Sequence, residues 1–188
     1  MSDVRAVWGD LLADDCPKNW AVWDVKGCRN HRKKRPRLEV ANTGAGGLAD
    51  AMTLVDDNKV QVLGFRVTAV EKEKVGTVGG VRSKFCTIFW IGSEVARTIR
   101  CAVSMTRNKL MKPLNNSVKI TVDDGDREKI SEENIVTELR KSSDADFVEV
   151  FDFTNAEAPG VDLKVRNCFS EHSTALTHGM LILMLIFL

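Results

Sequence analysis

Hydrophobic positions recur along this chain with two periods. At the start, SDVRAVWGDLLADD sets Val4, Val7, Trp8, Leu11 and Leu12 at helical spacing behind Ser2 or Asp3, either of which suits an N-cap. After Pro17 the period becomes two. Trp20, Val22 and Asp24 alternate with Ala21, Trp23 and Val25, so NWAVWDV predicts a strand buried on both faces. RLEVA predicts a shorter second strand, and a short helix over Leu48–Val55 follows NTGAGG. KVQVLGFRVTAVE then predicts a long strand with Leu63, Phe65, Val67 and Ala69 on one face, and Gly64 inside it implies a bulge or bend.

The second half repeats these periods. β-Formers run from Phe85 to Ile91; Gly92 is then expected to turn the chain and Ser93 to cap a helix through SEVARTIRCAVSMTRNKLMK. That helix should stop at Pro113, which lacks the N–H donor and clashes with the preceding turn. SVKITV is a further strand. DREKISEENIVTELRKSS predicts a second amphipathic helix with Ile135, Val136 and Leu139 inward. The order α β β α β β α β α predicts an α/β (α+β) domain, a central mixed β-sheet sandwiched between helices.

Connecting segments differ in charge. CRNHRKKRPR holds six basic residues in ten, too charged to fold inward, and is expected to be a solvated loop that also fits anionic-surface binding or nuclear import through residues 32–37. EKEKVGTVGGVR, residues 71–82, predicts a long, mobile hairpin loop. Beyond DFVEVFDF the Asn155–Val161 stretch is expected to be a domain edge. The domain is therefore assigned to residues 1–153, with residues 154–188 as a disordered extension with an apolar end. GMLILMLIFL, residues 179–188, is too short to cross a membrane: as a helix it rises about 15 Å against a hydrocarbon core of roughly 30 Å.

Composition narrows the function classes. The 188 residues carry a formal charge of +1, from 27 basic and 26 acidic side chains, which excludes a global polyanion binder and specific nucleic-acid recognition is not expected. Cys16, Cys28, Cys86, Cys101 and Cys168 are odd in number and widely spaced, and the start lacks the apolar core of a secretion signal, so reduced cytosolic thiols are expected. There is no CxxC, and His31, His172 and His178 show no zinc spacing; no metal or other cofactor is expected.

Two patterns invite a catalytic or nucleotide-binding reading. GAGGLA, residues 44–49, matches G-x-G-x-x-A between a strand and a helix, with Glu71 further on, a dinucleotide-type fingerprint that is set beside a plain flexible turn. Ser93 follows a strand, as a nucleophile would, but no G-x-S-x-G surrounds it and His31 lies in the basic loop. No nucleophile has a base to orient it, so no catalytic residue is assigned. The pairs Asp14–Asp15, Asp56–Asp57 and Asp123–Asp124 fall at element ends, where carboxylates cap and solvate.

The helix after Gly92 is the most informative element. At 100° per residue, Val95, Ile99, Ala102, Val103, Thr106 and Leu110 cover one side, while Arg97, Arg100, Ser104, Arg107 and Met111 cover the other. An outer face with three arginines, no acid and an exposed methionine predicts a partner with an acidic, partly apolar surface.

RSKFCTIFWIGSEV with its arginine-bearing helix, followed by DREKISEENIVTELRKS, resembles the actin-depolymerising-factor homology domain, most closely its coactosin-like branch. The resemblance is good from about residue 58 to 150, weaker over residues 2–57 and absent beyond about 155. It implies an ADF-H/gelsolin-like single domain, monomeric and cytoplasmic on the actin cytoskeleton, that binds actin filaments, with weak or absent severing and no enzymatic activity. Actin monomers stand as a second partner, since a cofilin-like monomer-binding and severing protein is the alternative within the class; a small nucleotide-binding enzyme through residues 44–49 is the alternative outside it. The binding lysine that begins the S-K-F strand in that branch matches Lys84, with Arg82 beside it. Arg97, Arg100 and Arg107 carry over by their place on the long helix, with Met111 and Lys112 at its end. The chain departs from the family in Pro113, in its longer basic loop and in its C-terminal extension.

Overall fold

A computed structural model of the chain describes residues 3–27, 35–71, 80–141 and 148–154. The element order is α1 (Val4–Leu12), β1 (Trp20–Lys26), β2 (Arg37–Gly44), α2 (Gly47–Met52), β3 (Val60–Glu71), β4 (Val81–Ile91), α3 (Arg97–Met111), β5 (Val118–Val122), a 3₁₀ turn (Arg127–Ile130), α4 (Glu132–Lys141) and β6 (Val148–Asp152). The expected order holds, and β6 is added to it. Most of the basic loop, most of residues 71–82 and residues 155–188 lie outside the described residues, as does the expectation of an edge at Asn155–Val161.

The strands form one sheet in the order β2-β1-β3-β4-β5, with β6 also on β3. Among the described strands only β4 and β5 run parallel, joined by α3, so the sheet is mixed. The length of β3 explains the sixth strand: its first half, Gln61–Phe65, pairs with β1, and Thr68–Glu71 pairs with β6. Alternation places each strand's side chains on two faces. Trp20, Leu63, Phe65, Val67, Cys86 and Ile88 meet α2 and α4 through Leu48, Ile135 and Leu139. Trp23, Val62, Phe89 and Ile91 meet α1 and α3 through Trp8, Leu11, Val103 and Leu110.

Local signals act as expected at several ends. Asp3 caps α1, its carboxylate accepting from Arg5 N–H at 3.0 Å. The last residue of α3 is Met111, two before Pro113. Two expectations are corrected. Gly64 makes no bulge: the register runs unbroken through Gly64 opposite Ala21 and Thr87. The glycine is there because a Cβ would stand 2.7 Å from the ring of Trp8 and 2.9 Å from that of Trp23, which pack edge to face at 6.2 Å. The second amphipathic helix is not continuous, since Ser131 is extended (ψ 153°) between the 3₁₀ turn and α4. Asp126 caps the 3₁₀ turn, and the Ser131 hydroxyl accepts from Asn134 N–H at 3.4 Å to start α4.

Candidate functional site

The turn between β4 and α3 is shaped by a close approach. A Cβ on Gly92 would lie 2.1 Å from the Asp57 carbonyl oxygen, and that carbonyl accepts from Glu94 N–H at 2.9 Å. Held there, residues 92–96 form a turn, and α3 begins only at Arg97 behind Ala96, which offers no side-chain cap. Ser93 is thus not the N-cap the sequence predicts: the N-cap position of α3 is Ala96, and the Ser93 hydroxyl lies 3.5 Å from a carboxylate oxygen of the adjacent Glu94.

Arg100 takes over the work of closing this turn. Its Nε donates to Val95 O at 2.7 Å, Nη2 to Gly92 O at 3.0 Å and also to Ser93 O, and Nη1 to Asp123 O at 3.1 Å. A cation near a helix N-terminus is ordinarily unfavourable; here four carbonyl dipoles face the guanidinium and offset that. The expectation that Arg100 is displayed on the outer face is therefore corrected: the side chain is half-buried and folded back along the turn.

The inner face of α3 is as predicted. Val95, Ala102, Val103 and Leu110 are buried, and Ile99 and Thr106 half-buried. Met111, however, is 3% exposed and packed with Leu110 and Leu114, whereas Met105 is 82% exposed. The helical projection misplaces Met111 because the chain turns back after it, with Leu114 N–H donating to Met111 O at 3.1 Å. Met111 leaves the set of surface candidates. The outer face consists of Arg97, Cys101, Ser104, Met105, Asn108, Lys109 and Lys112, with Arg107 half-buried at its margin. Among the described residues no ion pair involves an α3 side chain.

Lys84 and Arg82 lie elsewhere. On β4, Lys84 stands opposite Val67 and Arg82 opposite Ala69, on the α4 side of the sheet, while Phe85 turns its ring the other way against Trp8 at 6.0 Å. Ala69 in turn pairs with Phe151 of β6, and the Arg140 guanidinium of α4 sits 5.9 Å from the Phe151 ring. The sheet therefore separates two basic surfaces. One is the outer face of α3; the other joins Arg82 and Lys84 to the end of α4. Sequence reading missed Met105, although it projects 80° from Arg97 on a helix, and Arg140, which only the β3–β6 register brings near Arg82.

The remaining chemistry is structural. At residues 44–49 the amides that would cradle a phosphate are already used: Gly47 N–H donates to the Asn19 side-chain oxygen at 3.1 Å and Leu48 N–H to Phe153 O at 3.4 Å. Asn19 Nδ2 donates to Thr154 O at 3.1 Å, so GAGGLA is the joint between β1, α2 and the end of β6. The Gly47 and Leu48 amides are therefore committed to the fold, which counts against a phosphate cradle at residues 44–49. Asp56 and Asp124 act locally as predicted, accepting from Asn58 N–H at 2.9 Å and Asp126 N–H at 3.3 Å. Burial, and then the charge of Glu138, pushes the Cys86 thiol well above its usual range, leaving it a protonated core side chain.

Residues 2–140 match the model of the cofilin/tropomyosin-type actin-binding protein family, and the chain belongs to that family. It is 26% identical over 150 residues to coactosin of Dictyostelium discoideum, covering 78% of this chain and 91% of that protein. The fold is shared with the crystal structure of coactosin from Entamoeba histolytica, at a TM-score of 0.59 and 19% identity over 74% of this chain and 93% of that one. It is shared also with mouse coactosin, described as an actin filament binding protein, at a TM-score of 0.52 and 22% identity over 74% and 87% of the two chains.

Proposed function

We propose that this chain is an actin-filament-binding protein of the coactosin-like type, acting by binding alone and without catalysis. The observation that carries this is the outer face of α3, where exposed Met105 is flanked by Arg97, Lys109 and Lys112. An apolar side chain among cations fits an acidic, partly apolar partner surface. Family membership supplies actin as that partner, and mouse coactosin, which shares the fold, is described as binding filaments. The two basic surfaces support filament over monomer: they lie on opposite faces of the sheet, so neighbouring subunits of a filament can each meet one.

In this reading residues 1–153 are the binding module and residues 154–188 an extension. The module works as a monomer on the cytoplasmic actin cytoskeleton. Lys84 with Arg82 forms one contact, and Arg97, Arg107 and Lys112 with Met105 the other. Cosedimentation with filamentous actin, beside a titration of monomers, is the test. Lys84→Ala should reduce filament affinity about tenfold, or 1.4 kcal/mol, and Arg97→Glu should reduce it by about 1 kcal/mol. If Lys84→Ala pellets like the unaltered protein while Arg97→Glu abolishes binding, the surface is centred on α3 and the cofilin-like, monomer-binding reading replaces this one.

A further inference from the structure

The outer edge of β4 ahead of Cys86 has no strand beside it among the described residues. β5 accompanies β4 only from Cys86 to Trp90, whereas β3 follows β4 out to Val81. The approach to β5 explains the difference. Asn116 takes a positive φ of 59°, and the Ser117 hydroxyl is fixed between Thr87 Oγ1 at 3.0 Å and Leu114 O at 3.1 Å. The chain thus swings in from the side and joins the sheet at Val118. Residues Val81–Phe85 are left as five residues of sheet edge.

That edge has two unlike faces. Arg82 and Lys84 project on the α4 side, and Val81 and Ser83 project on the other. Val81 is 58% exposed and stands in one row with Val70 and with Val150, itself 37% exposed. One face is cationic and the other aliphatic. A second copy of the same edge is a poor occupant, because antiparallel pairing about Ser83 sets Arg82 of each copy against Lys84 of the other, and like charges directly opposite destabilise a sheet. A segment whose carboxylates alternate with aliphatic side chains satisfies both faces: its acids fall beside Arg82 and Lys84, its aliphatic groups beside Val81, and its backbone completes the edge.

We propose that the Val81–Phe85 edge of β4 is a docking site for an extended acidic segment, with carboxylates alternating with aliphatic side chains, that adds to the sheet as a further strand. This goes beyond the filament reading although Lys84 serves both, and its test contains no actin.

The probe is a fluorescein-labelled peptide of about seven alternating valine and glutamate residues, a common strand length, titrated with the full chain by fluorescence anisotropy. Saturable binding is expected, falling at least tenfold in the Arg82→Glu, Lys84→Glu double variant. The corresponding valine–lysine peptide should bind no better than that variant does. The unaltered protein supplies a second measurement. An added strand hydrogen-bonds along one of its two edges, so methylating one set of alternate peptide amides should abolish binding while methylating the other set leaves it intact. Equal effects of the two sets mean attraction by charge alone and overturn strand addition. No saturation up to about 1 mM, or equal binding of the lysine peptide, overturns the site itself.

Discussion

Replacing Arg100 with methionine separates the structural arginine of α3 from those displayed on its surface. The change keeps most of the aliphatic stem and removes the guanidinium that donates to four backbone carbonyls. Hydrogen bonds from charged donors contribute roughly 1.5–3 kcal/mol each when buried, but this side chain is half-exposed and the full sum does not apply. Water can solvate Ser93 O and Asp123 O after the change, since both bonds lie at the surface, whereas the bonds to Gly92 O and Val95 O are partly buried. Two partly buried carbonyls each losing a partner give a loss of about 2 kcal/mol. For a domain of this size that lowers Tm by about 4–8 °C. Thermal unfolding by circular dichroism reads it directly.

Arg97→Met is the paired control. Arg97 is exposed at the first position of α3, and surface changes of this kind fall within about 0.5 kcal/mol, so its Tm should stay put while filament affinity falls. Arg100→Lys should lie between, because an ammonium cannot span four carbonyls at once. If Arg100→Met keeps the original Tm and instead loses pelleting tenfold, the guanidinium serves the partner and the closing role assigned to it is wrong.

Other perturbations test the frame. Gly64→Ala forces a methyl against Trp8 and Trp23 at 2.7 and 2.9 Å and should cost about 1–3 kcal/mol; the cost should shrink in a Trp8→Leu background, and an unchanged cost in a double-mutant cycle would refute the steric account. Asp24 should contribute to acid stability. Burial tends to raise its pKa, but hydrogen bonds from Lys26 at 2.8 Å and Gln61 at 3.0 Å outweigh that and lower it. Its stabilising effect is therefore complete above the ordinary aspartate value of 3.8 and is lost as pH falls through the depressed folded value, so acid titration of Asp24→Asn should show a shallower loss of stability over that window. If the basic loop is solvated as its charge predicts, changing Arg32, Lys33, Lys34 and Arg35 together to serine should leave Tm within about 1 °C, because solvated charges contribute little to a core, and should weaken pelleting only at low salt; a large fall in Tm would show that the loop is packed.

Several features that act over a few residues are legible in the sequence, although the break at Ser131 between the 3₁₀ turn and α4 is not. Alternation fixed β1, β3 and β4, Asp3 and Pro113 bound their helices, and the inner face of α3 followed from its period. What the sequence hid depends on contacts between distant segments. Gly64 looks like a bulge until two tryptophans from α1 and β1 are found above it. Ser93 looks like a cap until Asp57 is found holding the turn beneath Gly92. Met111 projects outward on an isolated helix and is buried only because the chain doubles back through Leu114. The separation of Lys84 from α3 is also invisible locally, since it rests on the strand register and on which helix packs on which side of the sheet.

Each candidate surface is fixed to the same sheet by a different device. Lys84 directly precedes Phe85, packed on Trp8, and Cys86, buried on the α4 side, in a strand whose pairing with β3 continues outward to Val81. α3 is held at its start by Arg100, and the loop beyond its end is tied to α1 by Trp8 Nε1, which donates to Asn115 O at 2.9 Å. The spacing between the two basic surfaces is then a property of the sheet and its packed helices, not of flexible loops. A partner that meets both surfaces need order little backbone, and association retains more of its contact free energy. On the filament reading proposed above, the same rigidity would make the two contacts selective together: two actin subunits would engage both surfaces only when their spacing matches that of the fold, which the regular repeat of a filament would supply and a lone monomer would not.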